Sequence, residues 1–332
     1  MSIKRIAAAA LGAAALVIAL AGCSGSGTAG TGEAGAGDAP AAAGDIKLCV
    51  YTHGDGGTFW SVVQKGAEDA AAAYGVTLDY QGSTNDSSRQ ASMIEAGISG
   101  GCDGIAASAP DPGAITDAMQ AAADAGIPTV TVNSGSAVFA DLGAFTHVGQ
   151  DEIVAGREAG DQFDELGATK ILCVVHEAAN SGLLERCDGA AETFDGEVVE
   201  LNADQALADL TAAEAKVRAS LEADPGIDAV FAVNADVATG AALPAIAAVG
   251  RDIQVGTVDL SADALTAISS GDLAFAIDQQ QYAQGHLAIE LLFLAVTDAI
   301  ELGGGLPMYT GPAFVTADNV DAVQASVDAG TR

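Results

Sequence analysis

From residue 46 onward the apolar positions come in short β-rich runs that alternate with stretches of helical period. Runs at 46–51, 76–80, 104–107 and 128–132 predict strands. The spacing of Phe59, Val63, Ala67, Ala70 and Tyr74 predicts a helix over 59–74, which Gly75 stops. A second helix is expected over 88–99, with Ile94 and Ile98 on one side. A third starts at Asp111-Pro112, a capping residue followed by proline in the first turn, and ends at Gly126. A short strand at 146–149 follows, and then the pattern restarts. Helices at 152–166, 181–194, 205–222, 235–249 and 262–269 alternate with strands at 170–175, 197–201, 228–233, 253–258 and 273–277. A long helix over 282–296 comes next. Repeated βα units of this kind make open parallel sheets covered by helices on both faces. The chain therefore predicts an α/β protein of two Rossmann-like lobes, with no long polar linker between them. A short hinge would set the strand ends of both lobes around one cleft.

Ahead of this body the pattern changes. Lys4 and Arg5 precede 16 apolar residues, 6–21, too short a run for a spanning helix and suited to an export signal. Leu20-Ala21-Gly22-Cys23 then resembles the lipobox of bacterial lipoproteins. The expectation is a signal peptide over 1–22 and a lipidated Cys23 opening the mature chain; a soluble export signal with a chance cysteine is the competing reading. Residues 23–45 are rich in Gly, Ala, Ser and Thr and show no apolar period. They predict a flexible tether whose 22 residues after Cys23 reach about 26 Å.

Composition narrows the partners. Lys and Arg number 12 against 45 Asp and Glu, for a net charge of −33, and mean hydropathy is +0.32. A backbone binder of nucleic acid needs clustered cations, so nucleic acid is excluded. An anionic lipid surface would repel the chain, which leaves a covalent lipid as the only expected membrane attachment. Beyond Cys23 there are four cysteines, an even number suited to an exported protein. Cys49 and Cys102 open two strands expected to be neighbours. Cys173 lies in a strand and Cys187 in the helix after it. Those two pairings are favoured among three connectivities, with four buried free thiols as the alternative. No C-x-x-C spacing points to a metal.

Most catalytic motifs fail on context. Gly25 to Gly30 fits G-x-G-x-x-G but lies in the tether, away from any strand–helix turn. Gly97 to Gly101 fits G-x-S-x-G, yet a helix ends there and a strand follows, the reverse of a nucleophile elbow. His176-Glu-Ala-Ala-Asn180 approaches H-E-x-x-H but lacks the second histidine. His53, His147 and His286 are dispersed, and no phosphate loop occurs. No catalytic residue, cofactor or metal is expected.

What remains is a set of side chains at the carboxyl ends of strands, where open α/β sheets place ligand groups: Phe59, Trp60, Asn133, Arg186, Asn234, Asp259 and Gln279. The amides, the carboxylate and the guanidinium can each contact vicinal hydroxyls, and the aromatic pair can cover a C–H face. One Arg against one Asp suits a neutral polyol or monosaccharide. Taken singly, each is equally suited to a turn, a cap or the core.

The chain from 46 to about 325 resembles the type I periplasmic sugar-binding proteins, the ribose-binding-like group that serves ABC importers. The segments that carry the resemblance are Thr58-Phe-Trp-Ser-Val-Val-Gln-Lys-Gly-Ala-Glu, Cys102-Asp-Gly-Ile, Ala125-Gly-Ile-Pro-Thr-Val, Val148-Gly-Gln-Asp-Glu, Glu185-Arg-Cys-Asp-Gly, Phe231-Ala-Val-Asn-Ala-Asp, Gly256-Thr-Val-Asp and Ile277-Asp-Gln-Gln. The resemblance implies the type I periplasmic-binding-protein fold, with a three-stranded hinge crossing near Gly149, Gln279 and Leu306. The implied lobes are 46–148 plus 280–305 and 149–279 plus 306–332. It also maps the family's sugar-flanking aromatics to Phe59 and Trp60 and its polar ligands to Arg186, Asn234, Asp259 and Gln279. Two departures stand out. Asn133-Ser134 replaces the Asp-Arg of the ribose-type pattern, removing a charged clamp. The segment His53-Gly-Asp-Gly-Gly57 is longer, which makes His53, Asp55, His176 and Glu177 secondary ligand candidates.

The implied function is a monomeric, extracytoplasmic solute-binding lipoprotein, not an enzyme. It captures a neutral monosaccharide or polyol by lobe closure and delivers it to the permease subunits of an ABC importer. A tethered sugar sensor and a lipid-anchored sugar-acting enzyme are the alternatives.

Overall fold

Short runs of Val, Ile, Ala and Leu form the buried strands of two parallel sheets, and Ala-rich helices cover them closely. The computed structural model describes residues 43–332. The export signal at 1–22, Cys23 and nearly all of the expected tether lie outside the described residues. The first lobe begins with β1 (Lys47–Thr52), α1 (Gly57–Tyr74), β2 (Thr77–Gly82), α2 (Ser87–Ser99), β3 (Gly104–Ala107), α3 (Pro112–Asp124), β4 (Thr129–Val132) and β5 (Thr146–Gln150). The chain then enters the second lobe through α4 (Glu152–Glu165), β6 (Lys170–Val175), α5 (Ser181–Thr193), β7 (Glu197–Asn202), α6 (Leu210–Ala223) and β8 (Ala229–Ala232). Next come α7 (Ala235–Val237), a π-helical turn (Ala238–Ala242), α8 (Leu243–Val249), β9 (Gln254–Val258), α9 (Ala262–Ser270) and β10 (Phe275–Asp278). It ends with α10 (Gln281–Asp298), β11 (Met308–Gly311), β12 (Ala313–Val315) and α11 (Val320–Asp328).

One six-stranded sheet runs β11-β5-β4-β3-β1-β2 and the other β12-β10-β9-β8-β6-β7. All pairings are parallel except β10 with β12. Each sheet separates two apolar layers. Val50, Ala67, Ile289 and Leu292 pack on one face of the first, and Ile94, Ile105, Ile115 and Met119 on the other. In the second lobe the layers centre on Val217, Val230 and Leu265, and on Phe163, Phe231 and Phe275.

The chain passes between sheets three times: from β5 into α4, from β10 into α10, and from β11 to β12. The last passage differs from the expectation. β11 pairs with β5 in the first sheet, Met308 opposite Val148, so residues 308–311 belong with the first lobe and the chain crosses at Pro312, not near Leu306. Four-residue β11 and three-residue β12 sit at the edges of different sheets, and so brief a stretch has no apolar period to reveal the split. The expected single helix over 235–249 is likewise divided by its π-helical turn.

Among the described residues two disulfides are present. Cys49 on β1 joins Cys102 just before β3, and Cys173 on β6 joins Cys187 on α5. The second binds α5 to the sheet beside Arg186. Helices α4 and α5 also touch backbone to backbone. A Cβ on Gly156 would collide with the carbonyl of Arg186, and one on Gly189 with that of Ile153.

Candidate functional site

The strand ends of both sheets face one interlobe cavity. Its walls include all seven residues singled out from the sequence: Phe59, Trp60, Asn133, Arg186, Asn234, Asp259 and Gln279. Of the secondary candidates, His53, His176 and Glu177 line it too. Asp55 does not; it is exposed, accepts a hydrogen bond from Thr84 at 3.0 Å, and lines a wider outer groove of about 800 Å³ at the cleft mouth.

The aromatic side is built by the first turn of α1. Gly56 and Gly57 enter the helix with positive φ, a conformation other residues adopt only at a cost, and swing Phe59 and Trp60 toward the cavity. The two rings meet edge to face at 5.0 Å, and His53 meets Trp60 edge-on at 4.8 Å. Both aromatics remain half-buried. His53 Nδ1 lies 2.8 Å from the Ser108 hydroxyl, and burial pushes its pKa down against the opposing pull of Glu177.

The polar side is a continuous network. Asn234 caps α7, accepting from the backbone N–H groups of Asp236 and Val237, and donates to Asp259 Oδ2 at 3.1 Å. Gln279 donates to Asp259 Oδ1 at 2.6 Å and accepts from Asn133 Nδ2 at 3.4 Å. Ser134 donates to Asn133 Oδ1 at 2.9 Å. The chain of bonds thus runs from β4 in one lobe, through a crossing residue, to β9 and β8 in the other. Asn133 and Asp259 both hold positive φ, 66° and 80°, turning their side chains out of the strand direction. Burial raises the pKa of Asp259 to about 7, only partly offset by Arg186 and the bond from Gln279.

Arg186 is 3% exposed. Its Nε and Nη2 donate to the two carboxylate oxygens of Glu152 at 2.6 and 3.0 Å, and its Nη1 donates to the Val233 carbonyl at 2.8 Å. A guanidinium has five N–H groups, so two remain, one on each Nη.

The lobes also touch directly. Thr58 donates to Asp236 at 2.7 Å, Asn85 to Glu177 at 3.0 Å, and the Ser181 amide to the Pro110 carbonyl at 3.2 Å. His53 Nε2 lies 3.7 Å from Glu177 and 3.5 Å from Asn180. These contacts hold the lobes closed over the cavity. Sequence reading missed Glu152, Asn180, Leu183 and Asp236. Glu152 and Asp236 sit inside segments that carried the resemblance, but nothing in the sequence alone says which residue they meet. Among the described residues no group of His, Cys, Asp and Glu side chains is arranged to hold a metal ion.

Two hinged α/β lobes closing over a cavity lined by amides, a carboxylate, a guanidinium and two aromatic rings define a solute-binding protein. Residues 47–299 match the periplasmic binding protein domain family, and the chain belongs to that family, within its type I sugar-binding group. The ribose import binding protein of Bacillus subtilis is 31% identical over 235 residues, 70% of this chain and 75% of that protein. The xylitol-binding protein of Mycolicibacterium smegmatis is 30% identical over 290 residues, 85% and 80% of the two chains. A carbohydrate transporter from Acidothermus cellulolyticus, solved in complex with myo-inositol, is 36% identical, with a TM-score of 0.82 over 86% of this chain and 99% of that one.

Proposed function

We propose that this chain is an extracytoplasmic solute-binding lipoprotein. It captures a neutral monosaccharide or polyol between its lobes and presents the closed form to the permease of an ABC importer. The observation that carries this reading is the bond chain Asn133–Gln279–Asp259–Asn234, which collects side chains of both lobes on one cavity. Ligand hydroxyls that bridge these groups bind the closed form better than either open lobe and so shift the equilibrium toward closure. The Arg186 charge is matched by Glu152 within the wall, which leaves the cavity suited to an uncharged guest. The aromatic pair covers the guest's C–H face, as such rings do. The ligands in the names of the relatives, ribose, xylitol and myo-inositol, are of this class.

Lipid attachment at Cys23 holds the body near the membrane. No helix among the described residues is long and apolar enough to cross one. Lobe closure over the cavity and the sugar-binding relatives favour binding over turnover, so the captured molecule is released unchanged.

A thermal-shift and calorimetric screen of myo-inositol, xylitol, D-ribose and D-xylose tests the proposal. At least one raises the melting temperature by mass action, and Arg186→Ala and Asp259→Ala each abolish most of that shift while retaining wild-type circular dichroism. A shift preserved in both variants, or a wild type indifferent to every polyol and sugar, overturns it. Mass spectrometry of the protein labelled in cells checks Cys23: a diacylglyceryl adduct is expected, and an unmodified thiol removes the anchor.

A further inference from the structure

Arg186 does not stand alone in the cavity wall. Glu152 is the second residue after β5, where the chain first leaves one lobe for the other, and it is 4% exposed. Its Oε2 accepts from Arg186 Nε at 2.6 Å and from Gln150 Nε2 at 2.7 Å; its Oε1 accepts from Arg186 Nη2 at 3.0 Å. Gln150 is the last residue of β5, in the other sheet, and is fully buried. One carboxylate oxygen therefore ties the guanidinium to the crossing strand. The close approach of α4 and α5 at Gly156 and Gly189 brings the two helices near enough for this pairing.

We propose that Glu152 is a positioning residue: it fixes the guanidinium plane of Arg186 so that its two uncommitted N–H groups serve the ligand, and through Gln150 it couples that orientation to the hinge. This deepens the solute-binding reading and rests on it. The physical basis is the bidentate geometry. A planar fork gripped on its Nε/Nη2 edge has a fixed orientation, whereas a guanidinium held by one bond swings about its terminal torsions. Burial matters as much, since a carboxylate buried with its cation is strongly committed to it. Glu152 also offsets the cation's charge, so it opposes the effect of Arg186 on Asp259. The charged and titratable groups about Asp259 are Arg186, which lowers its pKa, and Glu152 and Asp236, which raise it; Glu177, His53 and His176 complete the cavity wall.

The test uses the whole folded chain, with Glu152→Gln and Gln150→Leu. Two readouts are taken. One is the dissociation constant for whichever of myo-inositol, xylitol, D-ribose or D-xylose the wild type binds. The other is the titration midpoint of the Asp259 carboxyl in the ligand-free protein, followed by carbon-13 NMR. Glu152→Gln is expected to weaken binding about a hundredfold, the scale of losing a charge-assisted bidentate bond, and to move the midpoint to lower pH, because an anion near Asp259 has been removed. The midpoint reports the charge of Glu152 beside Asp259, and the loss of affinity on top of it separates positioning of Arg186 from charge alone. Gln150→Leu keeps the ion pair, so it leaves the midpoint in place and weakens binding by about tenfold, the scale of one hydrogen bond to a charged group. Wild-type affinity in Glu152→Gln, or an unmoved midpoint, overturns the inference. Should Glu152→Gln fail to fold, unchanged affinity in Gln150→Leu overturns it. A wild type that binds no probe fails the solute-binding reading instead, and an unmoved Asp259 midpoint still overturns the inference.

Discussion

The two sides of the cavity are built differently. On the second lobe, Arg186, Asn234 and Asp259 are all buried, and each makes at least two hydrogen bonds to protein. On the first lobe, Phe59 and Trp60 are half-exposed rings that touch each other and His53, while Asn133 contributes one amide. One side is a polar network whose members bind one another, and the other is an apolar cover at the mouth. Preorganised donors and acceptors give orientation and selectivity, because a misplaced hydroxyl leaves a buried polar group unpaired. An aromatic cover contributes area without dictating which hydroxyl goes where.

That contrast makes graded predictions. Arg186→Ala is the most damaging: besides removing ligand contacts, it strands Glu152 as a buried unpaired carboxylate, at a cost of about 3–5 kcal/mol of stability. Urea titration of the ligand-free protein measures this, and a loss below about 1 kcal/mol would mean that the pair is solvated. Trp60→Ala on the opposite side weakens ligand binding by about tenfold, the order of 1.5 kcal/mol an aromatic contact supplies, and leaves the ligand-free melting temperature nearly unchanged. If it instead matches Arg186→Ala in both readouts, the two sides are not distinct. Asn85→Ala removes a contact between the lobes, its bond to Glu177 at the cavity rim, and leaves the Asn133–Gln279–Asp259–Asn234 chain intact. It weakens binding by about fivefold, and small-angle scattering of the ligand-free protein shows a larger radius of gyration.

A separate effect is in pH. Folding raises the Asp259 pKa from 3.8 to about 7, so the folded chain keeps a proton that the unfolded chain has lost. Stability from this group therefore declines as pH rises through that window. Asp259→Asn cannot ionise, and its melting temperature gains on wild type from pH 4 to pH 7. A difference that stays flat across that range would place Asp259 in contact with water.

The lobes and most of the cavity wall were legible because βα repetition is local. A strand of four to six residues, a capped helix and a glycine stop each announce themselves within a dozen positions. Since ligand groups collect at strand ends, Asn133, Asn234, Asp259 and Gln279 could be named from strand boundaries alone. What stayed hidden was pairing over distance. Glu152 meets Arg186 only because two helices thirty residues apart touch at Gly156 and Gly189, and neither glycine signals this in sequence. The contacts between lobes, Thr58 with Asp236 and Asn85 with Glu177, span 178 and 92 residues. The β11–β12 crossing was misplaced for a related reason: its strands are short, sit at sheet edges, and are defined by partners far away in the chain.

Gln279 occupies a place with a cost for adaptation. Its side chain bonds Asn133 and Asp259, while its carbonyl accepts from Thr310 beside the third crossing and from Gln284 at the start of α10. The same residue is thus a finger of the grip and a pin of the axle. A substitution there keeps the carbonyl's bonds but breaks the side chain's tie to Asn133 across the crossing, so guest preference and the rest position of the jaws change together. Engineering toward a new sugar should leave Gln279 and its partner Asn133 alone and work at Phe59 and Trp60, where taste can change without altering the swing.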